Sequence, residues 1–258
     1  IQLRLRKLRR LRPEIVEFAM WPFGRHISLE ESGVFRGFTD WHCHILPGVD
    51  DGAQTMGEAL QILAEYERLG IKEVWLTPHI MEDIPNTTLH LRERFAELQA
   101  AYHGNVALNL ASENMLDNLF EERLEKNDLL PIGKDGKHLL VETSYFNPPI
   151  DLHNVLLRIK SKGYYPVLAH PERYLYMNEC EYRKLKSKGV CLQLNQFSIF
   201  GLYGKASQKR AKMLQKQGMY DYVGTDLHEI STLQNILKAE VVLQTCRRNI
   251  SSCKIDNQ

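Results

Sequence analysis

No apolar run in this chain approaches the roughly 18 residues needed to cross a bilayer, and no signal-peptide-like apolar segment is visible. The five cysteines (Cys43, Cys180, Cys191, Cys246, Cys253) are odd in number and scattered, with no C-x-x-C pair. That argues against a disulfide framework and leads us to expect a reducing cytoplasm. Net charge is nearly absent too: 33 basic against 32 acidic side chains give +1 over 258 residues. A nucleic-acid binder working through overall positive charge is therefore disfavoured. Low-complexity blocks and linkers are also missing.

The near-zero balance hides one asymmetry. Residues 1–12 carry six basic side chains and no acid; without them 27 basic residues face 32 acidic ones. Such an arm either touches anionic membrane or an acidic partner, or is simply solvated. We expect a basic arm and lead-in over 1–33, a single barrel over 34–247 and a polar tail over 248–258.

What the chain does hold is a regular alternation of strand-like and helix-like runs. Strands are expected over 34–41, 71–76, 106–111, 138–141, 165–169, 190–194 and 220–223. Helices are expected over about 55–69, 89–102, 115–126, 152–162, 179–188, 205–217 and 231–247, with Thr55 as an N-cap and Gly70 as a stop. About seven βα units imply a parallel sheet. Runs such as Leu139-Leu140-Val141 are continuously apolar, as strands buried on both faces must be. The expected fold is α/β, a distorted (β/α)7-type barrel of mainly parallel strands with outer helices; an open doubly wound sheet is the alternative.

The polar residues have a positional pattern. His42 and His44, His79, Glu113, Glu142, His170, and Asp226 with His228 each fall at the C-terminal end of an expected strand, and Asp51 follows in the first loop. In a parallel barrel those ends share one face, where active sites are built. In an extended backbone His42 and His44 point the same way and Cys43 points away. One histidine after a strand is usually structural; six strand ends bearing His, Glu or Asp are not six coincidences. The set is rich in imidazole and carboxylate without a thiolate cluster, which suits manganese, iron or zinc. Nine candidate ligands (His42, His44, Asp51, His79, Glu113, Glu142, His170, Asp226, His228) exceed the needs of one ion. Arg173 lies three residues after His170 and is suited to holding a phosphate through paired hydrogen bonds; the bland reading is an ion pair with Glu172 or Glu179. Clustered metals beside an arginine suggest phosphoester hydrolysis. Asn195-Gln196 and the loop after it could shape the pocket mouth.

On these residues the chain resembles the polymerase-and-histidinol-phosphatase superfamily. More narrowly, it is similar to the bacterial manganese-dependent protein-tyrosine phosphatases of capsular and exopolysaccharide loci. The motifs are His42-x-His44-Ile-Leu-Pro-Gly-Val-Asp-Asp51-Gly, Thr77-Pro-His79, Glu113, Glu142, His170-Pro-Glu-Arg173-Tyr and Asp226-x-His228. The resemblance implies three divalent ions, manganese first, with iron or zinc as alternatives. One ion would be held by His42, His44, Glu113 and Asp226. A second would be held by Glu113, Glu142 and His170, and a third by Asp51, His79 and His228. Arg173 would bind the substrate phosphate. The implied partner is the phosphotyrosine tail of a cognate tyrosine kinase that regulates polysaccharide synthesis and export. Leu227 departs from the small residue expected between the last two ligands.

A cysteine-based phosphatase is excluded by reading: six residues after each cysteine stand Val49, Lys186, Phe197 and Ser252, never the required arginine, and Cys253 has no such position. A small-molecule phosphomonoesterase of the histidinol-phosphatase kind would use the same metals, and a non-catalytic metal-binding interaction module is the alternative outside enzymes. The aromatic loops at Tyr145-Phe146 and Tyr174-Leu175-Tyr176 could grip a phosphotyrosine peptide or a second copy of the chain.

Overall fold

The computed structural model describes residues 25–149 and 151–243. The basic stretch 1–12 and the polar tail 248–258 lie outside the described residues. Strand β1 (Arg25–Ser28) precedes β2 (Thr39–Cys43), helix α1 (Met56–Leu69), β3 (Glu73–Leu76), β4 (His79–Ile80) and α2 (Thr88–Ala101). Then come β5 (Ala107–Leu110), β6 (Glu113–Met115), α3 (Asn118–Lys126), β7 (His138–Glu142), α4 (Leu152–Ser161) and β8 (Tyr165–Ala169). After a 3₁₀ turn (Pro171–Arg173) follow α5 (Glu179–Ser187), β9 (Cys191–Asn195), α6 (Gln196–Phe200), α7 (Gly204–Lys216), β10 (Tyr222–Gly224), α8 (Ile230–Leu237) and β11 (Glu240–Leu243).

The strands form a distorted barrel. Strands β10, β9, β8, β7, β6 and β4 pair in that order, and β2, β3 and β5 form the neighbouring sheet, all in parallel. Two expected strands are each followed by a short strand that was not expected, β4 after β3 across Thr77-Pro78 and β6 after β5 across Ala111-Ser112, so one chain segment serves both sheets. The seam between β10 and β2 is closed by backbone: His44 N–H donates to the Leu227 carbonyl (2.8 Å) and Asp226 N–H to the His42 carbonyl (2.7 Å). Asp40 reinforces that seam, accepting from Thr225 N–H (2.8 Å), Thr225 Oγ1 (2.6 Å) and the Tyr66 hydroxyl (2.7 Å) of α1.

Helix α1 illustrates how the outer layer is specified. Thr55 caps its N-terminus by accepting from Glu58 N–H, which satisfies one of the free amides of the first turn. Gly70 ends the helix in the left-handed region, where a residue without a Cβ is not penalised. The buried face, Ala59, Ile62, Leu63 and Tyr66, recurs at helical spacing and packs over β2 and β3.

Three expectations are corrected. The first strand is Thr39–Cys43, not 34–41: Gly33 and Gly37 take positive φ, so Val34 to Phe38 is a turn in which Phe35 is buried. The third helix begins at Asn118, because Glu113–Met115 pairs as strand β6 and Asp117 caps the helix from its side chain. The terminal helix stops at Leu237; Glu240–Leu243 runs antiparallel to Arg25–Ser28. The expected helical residues 244–247 lie outside the described residues. No helix among the described residues is long and apolar enough to cross a membrane.

Candidate metal centre

A bulge in β2 aims the first histidine. Asp40 pairs with Val74 and Cys43 with Leu76, so β2 has one residue more than β3 over this stretch. Two neighbours, Trp41 and His42, therefore both face the barrel interior. Asp40 and Cys43 face the outer layer, where the Cys43 thiol contacts the Trp75 carbonyl (3.5 Å). Burial pushes that thiol well above its ordinary range, so Cys43 is no nucleophile. Leu227 is fully buried in the outer core, and its carbonyl serves the seam.

The nine predicted ligands come together at one end of the barrel. His42, His44, Glu113 and Asp226 form one group whose nitrogen and oxygen atoms lie within 4.8 Å of one another. His42 Nε2 lies 3.1 Å from Glu113 Oε2 and 3.4 Å from Asp226 Oδ1, and His44 Nε2 lies 3.4 Å from each of those oxygens. A second group is His79, Glu113 and Glu142. His170, expected in this group, stands outside it with His79 in its place, although its Nε2 lies 3.0 Å from Glu113 Oε1 and 3.9 Å from Glu142 Oε2. The third group is Asp51, His79 and His228, with His44 added. His79 and His44 thus each reach two groups, because their rings lie only 4.3 Å apart. Glu113 is common to the first and second.

Hydrogen bonds at the back of the rings fix what the front presents. Gln193 Oε1 accepts from His170 N–H (3.1 Å), which sets its amide orientation, so the proton on His42 Nδ1 must be the one donated to it (3.1 Å), since an amide oxygen only accepts. His44 Nδ1 donates to Asp50 Oδ2 (2.8 Å), and His228 Nδ1 to the Asp226 carbonyl (2.9 Å). In the neutral rings all three Nε2 atoms are therefore lone pairs aimed inward, and His42 Nε2 and His44 Nε2 face each other at 3.1 Å. Glu113 Oε2, Glu142 Oε1, His79 Nδ1 and His170 Nδ1 are buried without a hydrogen-bond partner. Lone pairs converging on lone pairs, away from water, are costly unless a cation sits between them. The donor set fits divalent ions bound through nitrogen and oxygen.

The electrostatics agree. Burial alone would lower the His42 pKa, but the charges of Glu113 and Asp226 outweigh it and lift it to about 9. Burial would raise Glu113, yet the nearby imidazoles, His42 foremost, with His170 and His44, hold it well below the carboxylate range. Asp226 is held low against burial by His42 and His44 in the same way. The cavity favours positive charge.

Backbone geometry makes room for this crowding. His170 and Asp226 are two of the three non-glycine residues with positive φ among the described residues, a cost that the surrounding structure must impose. A Cβ on Gly224 would lie 2.4 Å from the His42 Cβ, and one on Gly52 would lie 1.9 Å from the His44 carbonyl oxygen.

Arg173 sits beside the first group. Its NH1 donates to Asp226 Oδ2 (2.8 Å), and its guanidinium carbon lies 4.3 Å from the Tyr145 ring centre and 4.1 Å from that of Tyr203. The bland pairings do not occur: Glu172 accepts from Asn195 N–H and the Tyr220 hydroxyl, and Glu179 pairs with Arg183. One guanidinium edge is committed to Asp226, while the group remains partly open to solvent.

Sequence reading missed a supporting layer. Asp50 accepts from His44, His79 N–H (3.0 Å) and Gly52 N–H (3.0 Å), and its carboxyl is held at about 2, mainly by His44 against the opposing effect of burial. Asn195, read as pocket-mouth material, donates to Asp226 Oδ2 (2.9 Å). Gln193 and Asn195 stand two apart on β9, hence on one face of it, and that strand supplies no candidate ligand. Two amides in an otherwise apolar strand were the available signal.

Comparison with known proteins gives a consistent picture. The family model described as capsular polysaccharide synthesis, CpsB/CapC, matches residues 38–251. The tyrosine-protein phosphatase YwqE of Bacillus subtilis (strain 168) is 29% identical over 199 residues, covering 75% of this chain and 78% of that protein. The tyrosine-protein phosphatase CpsB of Streptococcus pneumoniae is 31% identical over 212 residues, covering 75% of this chain and 84% of that protein. A solved structure from work on YwqE and CpsB, described as unique metal-dependent tyrosine phosphatases, superposes with a TM-score of 0.70 at 28% identity, over 76% of this chain and 81% of that one.

Proposed function

The chain belongs to the CpsB/CapC family of capsular polysaccharide synthesis, and on that premise we propose that it is a metal-dependent protein-tyrosine phosphatase. Its substrate in this reading is the phosphotyrosine tail of a tyrosine kinase regulating polysaccharide synthesis and export. The observation that carries the proposal is the inward convergence of imidazole lone pairs and buried carboxylate oxygens beside a partly open arginine. A first ion would be held by His42, His44, Glu113 and Asp226, a second by Glu113, Glu142 and His170, and a third by Asp51, His79 and His228. Manganese as the native metal and residence in the cytoplasm belong to the same proposal.

When bound, divalent ions supply Lewis-acid polarisation of the phosphoryl group and neutralise its developing charge. The chain supplies the rest. Arg173 offers its uncommitted N–H donors to phosphoryl oxygens in a geometry that a lysine could not match. The Tyr145 and Tyr203 rings hold the guanidinium in place through cation–π contact. Gln193, Asp50 and the Asp226 carbonyl keep the proton of each ring on Nδ1, so that Nε2 stays available.

The test compares phosphotyrosine peptides, phosphoserine peptides and p-nitrophenyl phosphate under manganese, with metal content measured on the same sample. We expect turnover of the aryl phosphates that vanishes on chelation and returns with metal. Full activity after exhaustive chelation would overturn the metal requirement; a clear preference for phosphoserine would overturn the substrate class.

A further inference from the structure

The charge that looks balanced over the whole chain is not balanced locally. Residues 182–220 contain nine lysines and arginines and no aspartate or glutamate. Within this stretch, α7 presents Lys205, Lys209, Lys212 and Lys216 at spacings of four, three and four, which places them along one face of the helix. The opposite face, Ser207, Ala211 and Leu214, is buried. Lys205, Lys209 and Lys216 are exposed and Lys212 is half-buried.

On the other outer helices several lysines and arginines have acidic partners, although Arg92 of α2 and Lys184 of α5 have none among the described residues. Arg183 pairs with Glu179 on α5, Lys126 with Glu122 on α3, and Arg158 on α4 with Glu121 and Glu125. The four ammonium groups of α7 have no acidic or hydrogen-bonded partner among the described residues. A face kept only for solubility would interleave both signs, as α2 and α3 do.

The stripe is joined to the candidate active site. It starts two residues after Tyr203, whose ring lies against Arg173. Arg210 of α7 donates to the Glu172 carbonyl (3.2 Å) and the Tyr174 carbonyl (3.0 Å), tying the helix to the turn that carries Arg173. From Lys205 to Lys216 the row extends roughly 17 Å at about 1.5 Å per residue. Exposed Leu202 stands at its head.

We propose that this face of α7 docks an acidic polypeptide segment of the substrate, flanking the phosphotyrosine and leading away from the active site. The inference rests on the phosphatase reading and adds the chemistry of the residues around the target tyrosine. A narrow row continuous with the arginine suits an extended acidic chain, whose carboxylates can meet several lysines while its aryl phosphate occupies the site. Exposed ion pairs are individually weak and screened by salt, so the effect should be cumulative and sensitive to ionic strength.

The experiment uses the manganese-loaded protein and three substrates: a phosphotyrosine peptide flanked by four glutamates (on either side), the same peptide with glutamines, and p-nitrophenyl phosphate. At low ionic strength we expect KM for the better acidic peptide to be about tenfold below that for the neutral one, falling to about twofold in about 0.5 M salt. Changing Lys205, Lys209, Lys212 and Lys216 together to Gln should abolish the preference while leaving neutral-peptide and p-nitrophenyl phosphate turnover unchanged. Changing all four to Glu should invert it. Fluorescence anisotropy with the same peptides reads docking independently of turnover, so a failed phosphatase reading and a failed docking surface give different results. Equal affinity of the native protein for both peptides, or a preference that survives in the Gln variant, would overturn the proposal. So would a Gln variant that loses only its sedimentation with phosphatidylserine vesicles, which would assign the stripe to a membrane.

Discussion

The two ends of this barrel are built from the same strands and solve opposite problems. Near the strand starts the interior is closed by aromatic rings: Trp41 stacks on Trp75 at 5.5 Å and meets Tyr222 edge-on at 5.1 Å. Around them Ala111, Leu140, Val167 and Ala169 complete an apolar plug. At the strand ends the interior holds imidazoles and carboxylates whose lone pairs oppose one another. The bulge in β2 joins the two regimes, since Trp41 belongs to the plug and His42 to the candidate metal centre although they are adjacent. The plug is held by apolar and aromatic packing; the strand ends bring together groups that a cation would complete. Rigidity at one end allows crowding at the other to persist.

Breaking the upper end should have the largest effect on chemistry. Losing an outer partner of a metal ligand commonly costs about 10–100-fold, so losing the ligand should cost more. His42→Ala is expected to lower kcat/KM on p-nitrophenyl phosphate on the order of a thousandfold or more, with a circular-dichroism spectrum like that of the parent. An active variant would show that the first ion does not use His42.

Breaking the lower end should do the reverse. Trp75 is almost wholly buried, and Trp75→Ala leaves a cavity beneath Trp41 worth about 3–5 kcal/mol of stability. Denaturant unfolding should report that loss, while kcat per folded molecule stays within about twofold of the parent, because none of the ligand atoms touches the indole. If metal content fell in step with stability, the two ends would be one cooperative unit rather than a support and a site.

That division also explains what could be read in advance. The ligand types and their place after strands were legible because a His or Asp leaving an apolar run is locally odd. Helix α1 was legible from Thr55, Gly70 and its periodicity. The bulge was not, because it depends on Trp41 finding Trp75 across the sheet. Strand β11 was read as the end of a helix because its partner, Arg25–Ser28, lies at the opposite end of the described chain. The short strand β4 after β3 reflects how the barrel distorts to close, which no local pattern records. The lysines of α7 were hidden by averaging charge over the whole chain.

Gln193 escaped notice because it is uncharged, and it allows the finest test of the comparison. Gln193 Oε1 accepts from His42 Nδ1 and from His170 N–H, so one atom orients the proposed ligand of the first ion and the backbone of the proposed ligand of the second. Gln193→Leu keeps the volume roughly constant and removes the acceptor, freeing His42 to change tautomer and leaving the His170 N–H without a partner. Metal affinity, measured by chelator competition, should fall about 10–100-fold, with a smaller change in kcat once metal is saturating. Gln193→Glu retains an acceptor at that position and should recover most of the affinity. A structural role alone would reduce stability equally in both variants and would not separate Leu from Glu in the competition assay. That separation measures how far β9, which supplies no candidate ligand, controls the ions held by its neighbours.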